Sequence, residues 1–427
     1  MKVLIISHLP VATQNNMGKT FLSLFSQFGR EELCQLYIYP AIPDVDRCAS
    51  FYRVTDKDIL RGLVTGKKAG GEVDRALIGS SQGLYEHAED ESFYRNRKNK
   101  SALRRILRDM MWKIGRWYNG NLTAWLEKEK PDCIFVAPGA AKFCYDLALK
   151  TAKKRNIPVV SYICDEYYFV RRPDEPLDRL RLKLLQRKME KLMDKSACAV
   201  TICDELKEAY GRRFGVKAVT LMTGTSREIA AEPKIVSAPR TVCYFGNIRC
   251  NRYISLGEIC RALDRINEER GTDLKLKIYT SEKDPGILGT FRDIRSAELC
   301  GFVTGAEFEK VFSSSELLLH TEAFDEASID FVQHSVSTKI ADSLASGIPL
   351  LAYGPESVSS MKHLLRYDCA LTALSGDELR PMLEKAFFDD GARRSAAENA
   401  LAAARECHGK DTAGIRMRQL LEKICEK

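Results

Sequence analysis

Four places in the 427-residue chain combine residue types that can do chemistry. Near the start, NNMGKT (residues 15–20) follows the apolar run KVLIIS and ends in Gly-Lys-Thr, as a phosphate loop does. A P-loop also needs a glycine five residues before Gly18, so that backbone N–H groups curl around the phosphates. That position is Thr13, so the motif is half present. Gly18 is nevertheless expected at the mouth of a helix, where free N–H groups and a positive dipole end can meet an anion. A plain tight turn is the alternative.

The second place is TVCYFGNIRCNRYISLGEICRAL (241–263), where Gly246 ends an apolar run and Arg249 and Arg252 follow before a helix. A small residue with two guanidinium groups behind it suits a diphosphate. The third is SVSTKIADSLASGIPLLAYG (335–354). Ser337 or Thr338 can cap a helix whose first turn holds Lys339, with Asp342 on the same face. A cation at a helix N-terminus opposes the dipole, so Lys339 is misplaced unless an anion joins it. The fourth is VVSYICDEYY (159–168), which puts Asp165 and Glu166 at the end of an apolar run. Either acid can orient a hydroxyl or cap the following turn.

The elements that must carry these residues are short branched runs alternating with helical patterns. Candidate strands lie at 2–7, 36–39, 132–137, 158–163, 199–203 and 218–222, then at 241–246, 274–280, 298–302, 316–320, 349–353 and 369–373. Such alternation means parallel sheets covered on both faces. Residues 224–240 lack periodicity and contain Pro233 and Pro239, which reads as a linker. The expectation is an α/β chain of two doubly wound Rossmann-like domains. They are 1–223 and 241–408, with 224–240 between them and a C-terminal helix in 409–427 that either closes the second domain or crosses back to the first. Open sheets of this kind bind ligands at the carboxyl ends of their strands, so chemistry is expected in a cleft between the domains.

Composition narrows the function. No apolar run approaches the roughly 20 residues that span a bilayer, and the N-terminal one is cut by His8 and Pro10. The fourteen cysteines are scattered without a Cys-x-x-Cys pair, which suits buried thiols in a reducing compartment and a cytoplasmic location. No metal site is expected. Net charge is +8, and Arg95 to Arg116 holds nine Lys or Arg against Asp109 alone. Leu103, Ile106, Leu107, Met110, Met111, Ile114, Trp117 and Tyr118 recur there at helical spacing with charges on the other side. Within 95–118 this predicts a basic amphipathic helix, either with a solvated basic face or attached to an anionic membrane surface, its tryptophans at the interface. Arg179 to Lys191 is a second basic stretch. No nucleic-acid-binding module is present, so nucleic acid is not expected as a partner.

The order of features in 241–354 resembles the donor-binding domain of GT-B glycosyltransferases, in particular glycosyltransferase family 4. The resemblance rests on the strand ending in Gly246, the basic residues behind it, and KIADSLASGIPLLAYG. It implies that Gly246, Arg249 or Arg252, and Lys339 grip the donor diphosphate. It implies that Asp342 stands where the family has a glutamate holding the ribose. In the two-domain reading Gly18 is expected at the lip of the first domain, facing the donor phosphates across the cleft. The family's other glutamate falls at His334. Glu322 in LLLHTEAFDE takes its role if the intervening loop is longer, with His334 as the alternative. More weakly, Thr223-Gly224-Thr225 resembles the family's Asn-Gly-Val, and Asp165 stands where a His or Asp faces the acceptor.

The function so implied is transfer of a sugar from a nucleotide-sugar such as a UDP- or GDP-sugar to a saccharide or lipid-linked acceptor hydroxyl. The family implies a retaining transfer with no bound metal or other cofactor, in cell-surface polysaccharide or glycolipid synthesis. Arg252, Lys339, Glu322 and Asp165 are the expected catalytic residues. The rival readings are a silent nucleotide- or membrane-binding scaffold, and a P-loop kinase or nucleotidase centred on Lys19.

Overall fold

A computed structural model describes residues 1–13, 16–79, 102–170, 173–225, 227–409 and 411–426. The chain forms two compact units, Met1–Thr223 with Ala413–Lys427, and Gly224–Thr412.

The first unit is built on strands β1 (Val3–Ser7), β2 (Leu33–Tyr37), β3 (Ser50–Arg53), β4 (Gly71–Glu72), β5 (Cys133–Ala137), β6 (Val159–Ile163), β7 (Ser196–Thr201) and β8 (Ala218–Thr220). Their order across the sheet is β4-β3-β2-β1-β5-β6-β7-β8. All neighbours are parallel except the antiparallel edge pair of β3 and β4. Strands β1, β2, β5 and β6 are buried along their whole length, as continuous apolar runs between two helical layers must be. Helix α1 (Asn16–Leu24) places Phe21 edge-on against Phe135 of β5. The other helices that matter below are α2 (Asp56–Thr65), α3 (Ala102–Ile114), α4 (Lys142–Arg155) and α5 (Pro176–Lys195).

In α3 the charged side faces inward. Arg108 Nε donates to both carboxylate oxygens of the buried Asp56 at 2.9 Å, and the Trp112 indole N–H donates to the same carboxylate at 2.6 Å. Trp112 also stacks on Phe143 of α4 with ring centroids 4.0 Å apart. Asp109 pairs with Lys142 at 2.7 Å and with Arg181 at 3.3 Å, and Arg105 pairs with Asp178 at 2.7 Å. Trp117 and Trp125 are buried too. The tryptophans expected at a membrane interface are therefore core residues, because each indole N–H finds an acceptor inside: Asp56, the Trp112 carbonyl and Ser50. Residues 95–101 of the expected basic stretch lie outside the described residues, and α3 begins at Ala102.

The second unit holds β9 (Thr241–Phe245), β10 (Lys275–Tyr279), β11 (Ala297–Gly301), β12 (Leu317–Thr321), β13 (Leu350–Tyr353) and β14 (Leu371–Ala373). They form an all-parallel sheet in the order β11-β10-β9-β12-β13-β14. One face packs on helix α6 (Arg252–Arg270) through Leu256, Ile259 and Leu263, and the other on α7 (Thr338–Ala345) through Ile340 and Leu344. The central pair β9 and β12 flank the point where chain order reverses, which in such sheets leaves a crevice at the strand ends. Residues 224–240 lie against this unit: Ala230 N–H donates to the Ala345 carbonyl and Lys234 N–H to that of Gly347. Gly347 has φ of +74°, and a Cβ there would stand 2.8 Å from the Glu232 carbonyl, so the glycine of LASGIP makes room for that segment.

The last helix, α8 (Thr412–Cys425), packs on the first unit. Arg418 donates to both Glu32 carboxylate oxygens at 3.0 Å and to the Gln27 carbonyl at 2.8 Å.

Candidate functional site

A cavity of about 90 Å³ opens at the carboxyl ends of β9 and β12. Its wall includes Tyr244, Asn247, Arg252, His320, Glu322 and Lys339. The loop after β9 sets it up. Gly246 has φ of +147°, a conformation glycine alone adopts freely, and a Cβ on it would lie 2.7 Å from Lys339 Nζ. The missing side chain is thus what lets the ammonium group sit over the loop. Cys250 and Asn251 both take left-handed backbone (φ of 54° and 55°), at a cost of about 1 kcal/mol or more each. The Asn251 amide is tied to Asp325 at 3.0 Å. This pair of kinks turns the chain so that Arg252 becomes the first residue of α6.

Arg252 and Lys339 then occupy equivalent positions. Each lies in the first turn of a helix, α6 or α7, where the free backbone N–H groups already carry a partial positive charge. Two cations and two positive dipole ends converge on one small cavity. Among the described residues of the cavity wall one carboxylate stands against them, Glu322, which is 4% exposed. It accepts from Arg252 Nε at 2.7 Å and pairs with a terminal guanidinium nitrogen at 2.7 Å. Burial lowers the Arg252 pKa and the Glu322 bond raises it; the bond wins, and the net shift is upward. The guanidinium is held charged and in one orientation.

His320 completes the wall. Burial, with the Arg252 and Lys339 charges adding to it, pushes its pKa down to about 4 despite Glu322 beside it, so the ring is neutral near pH 7. Its Nε2 lies 3.1 Å from the Ser360 hydroxyl and 3.7 Å from Glu322. In the sequence its only signal is its place in LLLHTE, at the end of a buried run.

The other residues singled out from the sequence are placed as follows. Arg249 is exposed and paired with Glu282 at 2.6 Å, an arrangement that holds the Glu282 carboxyl down to about 2; it is not part of the cavity wall. Asp342 lies one residue from the wall residue Ser343, and its Oδ1 accepts from the Thr225 hydroxyl at 2.6 Å. His334 is half-buried just past helix 326–332, and is likewise not in the wall.

In the first unit, Gly18 is in the first turn of α1, and a Cβ there would overlap the Ala12 carbonyl oxygen. Its hydrogen atom is needed because the segment after β1 lies directly on the helix. Lys19 is exposed, and the Thr20 hydroxyl is 3.1 Å from that of Thr223. Asp165 accepts from the Tyr167 hydroxyl at 3.2 Å, whereas Glu166 accepts the backbone N–H groups of Tyr168 and Phe169 and so caps that turn. Among the described residues no group of three or more His, Cys, Asp or Glu is arranged to hold a metal ion, and no helix is long and apolar enough to cross a membrane.

No family model matches the chain, and no curated protein does. Solved structures do. HepE from Anabaena in complex with UDP superposes with a TM-score of 0.64 at 10% identity, over 99% of this chain and 100% of the other. Sucrose-phosphate synthase from Thermosynechococcus elongatus gives 0.61 at 11% identity, over 99% of each. An α,α-trehalose-phosphate synthase (UDP-forming) from Burkholderia vietnamiensis gives 0.57 at 12%, over 100% of each. At such identities the likeness is one of fold, and with the two sheets above it establishes the fold class: α/β, two Rossmann-like domains of GT-B architecture.

Proposed function

We propose that the protein is a glycosyltransferase that moves a sugar from a nucleotide-sugar to an acceptor hydroxyl. The observation that carries this is the convergence of Arg252, Lys339 and the N-termini of α6 and α7 on one cavity beside Gly246. A nucleoside diphosphate leaving a sugar develops negative charge, and fixed cations and dipoles aimed at it stabilise the transition state. The same groups supply the positive charge for which other transferases use a metal ion, which supports a metal-independent reaction; a retaining outcome is proposed on the sequence resemblance alone. The solved structures above include one with UDP bound and one enzyme that forms UDP, so a UDP-sugar is the first donor to test.

The residues take these roles. Arg252 and Lys339 bind the diphosphate, with Gly246 letting the loop approach it. Glu322 positions Arg252. Asp342 holds the ribose through its second oxygen while Thr225 fixes the first. Asp165 acts on the acceptor, because Glu166 is committed to its turn. The acceptor is a saccharide or lipid-linked saccharide of cell-surface polysaccharide or glycolipid synthesis. The enzyme works in the cytoplasm or peripherally on a membrane.

A second reading is favoured by one observation: both acids expected to contact the donor already have protein partners, Arg252 and Thr225. In that reading the chain binds nucleotide without turning it over. Thermal melting with UDP, GDP and UDP-glucose, for the wild type and for Arg252→Ala/Lys339→Ala, tests the first step. Stabilisation by a nucleotide that the double variant loses supports the site, and no response to any nucleotide refutes it. UDP release from UDP-glucose then separates enzyme from scaffold.

A further inference from the structure

Three neighbouring helices of the first unit present an outer surface that the donor site does not use. On α3, Leu103, Leu107, Met110 and Ile114 follow at i, i+4, i+7 and i+11, and each is at least 55% exposed. Leu63 and Val64 of α2, and Leu177 and Leu180 of α5, are exposed as well. A helix on a globular domain ordinarily turns such a stripe inward. Here the inward side is charged. Arg108 with Asp56 joins α3 to α2, and Arg105 with Asp178 joins α3 to α5. The ionic groups are spent holding the helices together, and the large aliphatic side chains are left outside. Contiguous apolar surface of this kind marks an interaction site.

The surrounding charge selects the occupant. Arg104 and Lys113 flank the stripe on α3, Arg61 lies on α2, and Lys183 and Arg187 lie on α5, all exposed. Among the described residues of α2, α3 and 176–187 no acidic residue is exposed; the exposed acids nearest to this face in sequence, Asp174 and Glu175, stand just before α5, at its end and not within it. A second copy of the chain would bring these cations against one another. An anionic bilayer instead offers phosphates to the cations and an acyl boundary to the leucines. We propose that the α2–α3–α5 face docks on an anionic membrane surface, with Leu107 and Met110 at the centre of the inserted stripe. This deepens the reading of a lipid-linked acceptor and rests on it only for its purpose. It keeps the basic residues at the lipid, as expected from sequence, but replaces the buried tryptophans by the aliphatic stripe as the inserted group.

The test is co-sedimentation of the full chain with vesicles of phosphatidylcholine alone and of phosphatidylcholine with phosphatidylglycerol. Binding is expected to the anionic vesicles and to persist in part at about 1 M salt, where the Debye length is about 3 Å. Leu107→Ser/Met110→Ser/Ile114→Ser should weaken it on the order of a hundredfold, because three half-exposed side chains lose their transfer into the interface. These positions are exposed, so the melting temperature and its response to UDP should not change. Absence of binding to anionic vesicles would overturn the proposal. So would complete release by salt with the serine variant behaving as wild type, or a lipid-free dimer that the same substitutions disperse. Failure of the transferase reading would show separately, as a missing response to nucleotide in protein that still binds vesicles.

Discussion

Replacing Glu322 by alanine should make the protein less stable and its response to UDP larger. The Glu322 side chain is 5% exposed and its partner Arg252 19%. Removing one member of such a pair leaves a buried charge uncompensated, which costs about 3 kcal/mol at the lower end of the usual range, since Arg252 keeps some contact with water. For a unit of this size that is a fall in Tm of roughly 6–12 °C. A bound diphosphate returns a countercharge to Arg252 and no longer faces the carboxylate. At about 6 Å and an effective dielectric of about 20, that repulsion is worth about 3 kcal/mol before screening. UDP at a fixed concentration should therefore raise the Tm of Glu322→Ala more than that of the wild type, while sugar transfer falls because the guanidinium is no longer held in place. Arg252→Ala should show the opposite pattern: a similar loss of stability, and a UDP response reduced by the about 2 kcal/mol of a charge-assisted hydrogen bond. Arg252→Met/Glu322→Leu should recover most of the stability and none of the UDP response. Scanning fluorimetry with a UDP titration measures all three. Equal UDP shifts in the wild type, Glu322→Ala and Arg252→Ala would refute the assignment of Arg252 to the diphosphate.

Three further outcomes are expected. His320 is neutral in the folded chain down to about pH 4, while in the unfolded chain it takes a proton near 6.5. The unfolded state therefore binds more protons between these values, and stability falls as pH drops through that window, by about 3 kcal/mol for a shift of this size. Urea unfolding at several pH values should show this loss, and His320→Gln should flatten it; an unchanged profile in the variant would assign the loss to other groups. Gly246→Ala combines a backbone angle unsuited to other residues with a Cβ 2.7 Å from Lys339 Nζ, so it should cost about 1–2 kcal/mol and weaken UDP binding about tenfold. Gly18→Ala should lower the Tm by overpacking against Ala12, at about 3 kcal/mol, in the absence of any nucleotide. If Gly18→Ala instead melts as the wild type and loses only UDP binding, Gly18 serves the ligand and not the loop.

Strands such as β1, β5 and β13 were legible because burial on both faces leaves little but apolar residues to read, while the partly exposed β8, β10 and β11 still carry enough apolar residues to show. All twelve strands expected from sequence are present, within a few residues at their ends. The two that carried no signal, β3 and β4, lie at one edge of the first sheet, where a strand of four residues and another of two need no long apolar run. Gly246, Arg252, Glu322 and Lys339 converge on the cavity, and their spacing in sequence already grouped them by strand end and helix start. Arg249 and Arg252 could not be told apart, because three residues of spacing do not reveal that Cys250 and Asn251 adopt left-handed backbone and send the two side chains to different places. His320 was hidden for a related reason: a histidine at the end of an apolar run has the same pattern whether it fills space or lines a cavity.

Helix α3 shows where periodicity itself stops being informative. The spacing of Leu103, Leu107, Met110 and Ile114 identifies a helix and a stripe, and hydrophobicity alone would turn that stripe inward. What decides the orientation is the cost of leaving the buried Asp56 and the half-buried Asp109 without partners, which their bonds to Arg108, Trp112, Lys142 and Arg181 remove. Those partners come from α3, α4 and α5, so the deciding term is tertiary and invisible in any window of sequence. The half-complete phosphate loop at NNMGKT has the same explanation. Its glycine answers to Ala12, on the segment leading out of β1, and the cations that gather around a cavity lie instead where two other helices begin, at Arg252 and Lys339. In both cases a residue's type shows which interactions it can make, and the neighbour brought by the fold determines which one it does make.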